Sequence, residues 1–71
     1  MDTYFSKNLK DLREYENISQ LELSKRTGIS QSSIARWELD KTQPTIKDVV
    51  TLAKYFNVSI DNIILEDLSK I

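Results

Sequence analysis

The 71-residue chain has no cysteine, no histidine, and just one glycine and one proline. Without cysteine there is no disulfide or thiolate–metal framework, and the chain is indifferent to redox compartment. Without histidine it also lacks the commonest general base and metal ligand. A single glycine and a single proline describe a chain dominated by helix, whose turns must be built from Asn, Asp, Ser and Thr. Apolar runs fall far short of the roughly 20 residues that a membrane span needs, and the N-terminus has no signal-peptide pattern, so no membrane association is expected and the expected compartment is the cytoplasm. There is no Gly-rich phosphate loop and no pair of carboxylates that periodicity places in a shared cleft. No cofactor, metal or small-molecule site is therefore expected, and an enzyme is rejected.

Positive charge is also scarce: the formal net charge is −1 and the pI about 5.3, without the overall basic footprint usual in nucleic-acid binders. The distribution is uneven, however. Between Ser19 and Lys47 five basic residues (Lys25, Arg26, Arg36, Lys41, Lys47) outnumber three acidic ones (Glu22, Glu38, Asp40), whereas from Asp48 onward four acids face two bases. A mildly positive face with an acidic far side is compatible with docking on a polyanion.

The stretch from Ile18 to Lys41 organises the rest. Ser19 opens a helix as the first member of a capping box, S-x-x-E, with Glu22. Gly28 falls where that helix must stop and reverse, a position suited to positive φ. Ser30 then caps a second helix that runs to about Glu38. Two helices joined by a short Gly-containing turn form the DNA-binding helix-turn-helix pattern. In the second of them Ile34 and Trp37 point inward, leaving Gln31, Ser32, Ala35 and Arg36 on an uncovered face of short polar groups and one guanidinium. That face is suited to reading base edges; the bland alternative is a solvated helix surface. Trp37 reads as core beside Ile34, with a base-stacking platform as the competing role.

The whole chain, residues 1–71, reads as one all-α domain with helices over about 4–15, 20–27, 31–38, 46–56 and 60–65 and a tail over 66–71. The first helical pattern begins as early as Asp2 and carries Phe5, Leu9 and Leu12 as one stripe. Lys7 and Lys10 lie off that stripe, facing solvent or phosphate. Asn17 and Asn57 are helix stops, tolerant of the left-handed conformation. Thr45 caps the fourth helix with Asp48, and Ile46, Val49, Leu52, Ala53 and Phe56 give it a broad apolar face. Ser59 caps the short fifth helix. Ile64, Leu65 and Leu68 are either a dimer seam or the domain's apolar closing edge, and residues from Leu65 to Ile71 either fray or join a partner.

In order, the segments NLKDLRE, ISQLELSKRTGIS, SQSSIARWE and KTQPTIKDVVTLAKYFNVSIDNIIL resemble the lambda-repressor-like (Cro/repressor, xenobiotic-response-element) helix-turn-helix regulators of bacteria and phages, over Leu9 to Leu65. The resemblance implies a compact five-helix domain, its third helix in the major groove of double-stranded DNA, and a homodimer spanning two half-sites about one helical turn apart. It implies base contacts by Gln31, Ser32 and Arg36, and phosphate contacts by Gln20, Lys41 and Thr42. Lys10 is a further phosphate candidate from its place on the first helix. Arg13 and Glu38 match a pair that bridges the first and third helices. Two positions depart from the family: Leu39-Asp40 stands where Asn-Gly is frequent, and Ser24 where Ala is usual. Aspartate can adopt the turn, but its charge repels phosphate, so Lys41 must compensate. The function expected is a sequence-specific transcriptional regulator, a repressor on a short palindromic operator. The alternative is a protein-interaction module or antitoxin-type partner on the same fold, which the acidic pI favours.

Overall fold

Four helices begin on a hydroxyl side chain. Ser19, Ser30, Thr45 and Ser59 sit in extended backbone, and each accepts the amide N–H three residues on, from Glu22, Ser33, Asp48 and Asn62. Each cap satisfies one of the donors a helix start leaves without an intrahelical partner. The helices are α1 (Phe5–Tyr15), α2 (Gln20–Thr27), α3 (Gln31–Glu38), α4 (Ile46–Phe56) and α5 (Ile60–Leu65), followed by a 3₁₀ turn over Leu68–Lys70. The computed structural model describes residues 3–70. The helical pattern expected from Asp2 and the apolar Ile71 of the tail lie outside the described residues.

The helix ends show how a chain with one glycine turns. Gly28 takes φ 77°, and the other left-handed residues are Asn17, Asp40 and Asn57 at φ 57–59°. After each of these three, the next amide reaches back five residues: Ile18 N to Arg13 O, Lys41 N to Arg36 O and Val58 N to Ala53 O. That bond closes a Schellman-type end and occupies a carbonyl the helix leaves open. Asn and Asp tolerate this conformation better than other residues with a side chain.

The core forms where α1, α3, α4 and α5 converge beside α2. Phe5, Leu9, Leu23, Ile34, Leu52 and Ile63 are fully buried, and Trp37 is nearly so. Phe5 and Trp37 meet edge to face with ring centroids 6.0 Å apart, an arrangement that favours the positive ring edge against the negative face. Trp37 is therefore core. Ile34 and Trp37 anchor α3, and their burial turns its opposite side outward.

Three expectations need correction. Ile46 is not part of the buried face of α4: as its first residue it projects past the core and is 83% exposed. The capping boxes are half formed. Glu22 does not reach back to Ser19 but accepts from Arg26 Nε at 3.0 Å, and Asp48 meets the Thr45 hydroxyl at 3.0 Å. Finally, residues 66–70 are fastened within the domain rather than frayed. The fully buried Asn8 donates to the carbonyls of Ile63 (2.9 Å) and Glu66 (2.6 Å) and accepts from the Leu68 amide (3.0 Å). A buried amide with its hydrogen bonds filled is a strong local constraint, and it fastens the tail to α1.

Candidate nucleic-acid interface

α2 and α3 pack on each other around Gly28. Apart from Gly28 and its two chain neighbours, no atom lies within 4 Å of where a Cβ on Gly28 would stand, so the turn needs glycine for its backbone angle rather than for space. On α3, Gln31, Ser32 and Arg36 are exposed and Ala35 is half-buried. Residues 31 and 35, and 32 and 36, are one turn apart and share a face. The structure therefore brings the three expected base-contacting residues together on the side of α3 opposite Ile34 and Trp37.

An ion pair holds the orientation of that face. Arg13 Nε meets Glu38 Oε2 at 2.7 Å and Arg13 Nη2 meets Oε1 at 2.9 Å. The remaining guanidinium nitrogen Nη1 donates to the Ile18 carbonyl at 2.9 Å. The Glu38 hydrogen bonds push the Arg13 pKa above its ordinary value, against the opposing effect of burial. Gln20, the first residue of α2, donates from Nε2 to Glu38 Oε1 at 3.0 Å. One of its two amide hydrogens is thus bound within the protein.

The segment after α3 runs through Asp40, Lys41, Thr42 and Gln43, all exposed. Asp40 accepts from Ser6 Oγ at 3.2 Å, which ties this turn to α1. Lys10 is exposed on α1. Lys7 is not available in the same way: its ammonium meets Asp11 (2.7 Å), Asp67 (3.0 Å) and Ser69 (2.8 Å). Those bonds, to Asp11 and then Asp67, raise its pKa. Arg26 is likewise turned inward along the surface, toward Tyr55 Oη (2.9 Å) and Glu22.

Of the apolar edge residues, Ile64 is half-buried against the core. Leu65 is 62% exposed, and Leu68 is half-buried beside α1. Sequence reasoning missed that Ile46 and Ile60 lie together with Ile64. With Phe5, Pro44, Val49 and Ile64 they line a shallow apolar groove of about 190 Å³. Only the position of Ile46 directly after its cap could have signalled its exposure. Beyond its expected capping role, Ser30 shares a hydroxyl cluster with Ser33 beside Ser32, which helical spacing did not signal. Among the described residues no group of His, Cys, Asp and Glu could hold a metal ion, and no helix is long and apolar enough to cross a membrane.

A family model described as helix-turn-helix matches residues 9–63. The chain is 30% identical over 60 residues to the HTH-type transcriptional activator BcrR of Enterococcus faecalis, covering 84% of this chain and 29% of that one. It is 34% identical over 61 residues to the antitoxin PezA of Streptococcus pneumoniae, covering 86% of this chain and 39% of that one. The chain thus spans well under half the length of these two curated relatives. Its fold is similar to the solution structure of the SOS-response transcriptional repressor LexA from Eubacterium rectale, with a TM-score of 0.83 and 30% identity, covering 90% of this chain and 68% of that one.

Proposed function

Because the chain belongs to the Cro and lambda-repressor type of helix-turn-helix DNA-binding transcriptional regulators, we propose that it represses transcription as a homodimer on a short palindromic operator, with α3 in the major groove. The observation that carries this reading is the uncovered face of Gln31, Ser32 and Arg36, oriented by the Arg13–Glu38 pair. Glutamine can pair bidentately with adenine and arginine with guanine, each worth roughly 1–3 kcal/mol of discrimination. Gln20, Lys41, Thr42 and Lys10 supply phosphate contacts, which set register and affinity but carry no sequence information.

Two recognition helices on one palindrome sit about 34–36 Å apart. The Cα envelope is 26 × 23 × 19 Å, which leaves room for two copies side by side at that spacing, the proposed dimer meeting along one edge. Ile46, Ile60 and Ile64, which line one groove, together with Leu65 and the tail residue Leu68, are the apolar groups available for that contact. Repression needs only occupancy of the operator, which this domain can provide without a further surface.

A second reading is an antitoxin-type interaction module, favoured by the acidic pI of about 5.3 and by the similarity to PezA. Selection of sites from a randomised duplex library separates the two. A palindromic consensus with half-sites one helical turn apart is the expected result. A folded protein that enriches no sequence at low salt overturns the regulator reading and directs the search to a protein partner.

A further inference from the structure

The serine cluster at the start of α3 bears on which bases are read, given the proposed role of Ser32 at the base edges. A serine hydroxyl has one proton to donate and two lone pairs to receive. Ser30 Oγ accepts from the Ser33 amide at 3.2 Å, as the helix cap, and donates to Ser33 Oγ at 2.8 Å. Ser32 Oγ lies 3.4 Å from the same oxygen, a contact in which either hydroxyl could donate. With the Ser30 proton engaged on Ser33, the proton in this longer contact comes from Ser32. In that arrangement the Ser32 O–H turns back toward the cap and leaves its lone pairs to face outward.

We propose that Ser32 acts as a hydrogen-bond acceptor in the major groove and so selects the exocyclic amino group of adenine or cytosine. A keto oxygen of guanine or thymine would require the hydroxyl to reverse and give up its contact with Ser30; an amino group leaves the cluster intact. Ser32 thereby distinguishes the two orientations of a base pair, since each pair has an amino base on one strand and a keto base on the other. Arg36, on the same face one turn along, suits the opposite chemistry, the acceptors of guanine. The half-site then combines a guanine with an amino base at a separate pair.

The test is binding-site selection with wild type, Ser32→Ala and Ser33→Ala, each checked for native helicity. Wild type is expected to prefer an amino base at one pair per half-site, and Ser32→Ala to lose that preference. Ser33→Ala keeps the backbone cap bond but removes the acceptor of the Ser30 proton. That proton can then pass to Ser32, whose own hydroxyl is released to donate, so amino and keto bases should be taken about equally. Replacing the selected base with an analogue lacking the amino group should weaken wild-type binding about three- to tenfold, the range of one net hydrogen bond, and leave Ser32→Ala nearly unchanged. A guanine or thymine preference that depends on Ser32 overturns the inference while leaving its base contact standing, as does an unaltered preference in Ser33→Ala. If Ser32→Ala alters no position, the base-contacting role itself fails, and the inference with it.

Discussion

Arg13 and Glu38, 25 residues apart in sequence, form a two-pronged ion pair whose side chains are 12% and 4% exposed. The pair joins the last turn of α1 to the last residue of α3, and through Gln20 it also takes in the first residue of α2. Three helices thus converge on one carboxylate. A planar guanidinium bound at two points fixes an angle as well as a distance, which is what a helix presented to a groove requires.

Glu38→Ala would leave the Arg13 guanidinium and the Gln20 amide without their acceptor. Breaking a fully buried pair costs about 3–5 kcal/mol; the residual exposure of Arg13 lowers the expected loss here to about 2–4 kcal/mol. Chemical denaturation measures it. A loss below about 1 kcal/mol, the range of exposed pairs, would mean that the pair does not hold α3 in place.

Asn8→Ala removes two hydrogen bonds that fasten residues 66–70, to Glu66 and Leu68, and a third to Ile63 in α5. The expected cost is about 1–3 kcal/mol, the penalty for leaving buried polar groups unpaired. Faster hydrogen exchange should be confined to the Leu68 amide and its neighbours. Unchanged exchange there would show that the tail is held by other contacts.

The same tail carries a pH signature. Hydrogen bonds from Ser69, and then from Lys7, lower the Asp67 pKa to about 2. A carboxyl whose folded pKa is depressed contributes stability above its unfolded value, here an ordinary 3.8, and loses it as pH falls through the folded pKa. The Lys7–Asp67 contact should therefore persist at pH 4 and be lost only toward pH 2. The Asp67 carboxyl resonance, followed by NMR, should titrate near 2; a midpoint near 4 would mean that the contact is not formed.

Ile46→Asp tests the proposed dimer edge. Because Ile46 is largely exposed, its replacement should change stability by no more than about 0.5 kcal/mol. Cooperative binding to a full palindrome should weaken, with affinity for an isolated half-site preserved. Undiminished cooperativity would remove this edge from the dimer contact.

Much of this architecture was legible because it depends on local chemistry. Ser19, Ser30, Thr45 and Ser59 mark helix starts by a bond within three residues, and Asn17 and Asn57 mark stops by their tolerance of positive φ. The inward pair Ile34 and Trp37 follows from helical spacing, and with it the exposed side bearing Gln31, Ser32 and Arg36. The Arg13–Glu38 pair was reached through family resemblance, since spacing alone cannot join residues on different helices. What stayed hidden was competition among distant partners. Glu22 has both Ser19 and Arg26 within reach and takes Arg26. Lys7 is drawn to Asp11 and Asp67 and so leaves the set of available cations. Asn8 looks like an ordinary polar helix residue until the tail crosses it, and Ile46 fits the apolar stripe of α4 but lies beyond the core that the stripe packs against.

The most direct test of the central claim, that α3 reads bases while the following segment holds phosphate, compares Arg36→Ala with Lys41→Ala on the selected operator and on unrelated duplex across a range of salt. Arg36→Ala should lose preference at one base pair per half-site while remaining folded. Lys41→Ala should keep the preference, bind all duplexes more weakly and flatten the salt dependence by roughly one phosphate equivalent per protomer. If Arg36→Ala instead weakens all sequences alike with the consensus intact, Arg36 is a phosphate contact and the recognition face lies elsewhere.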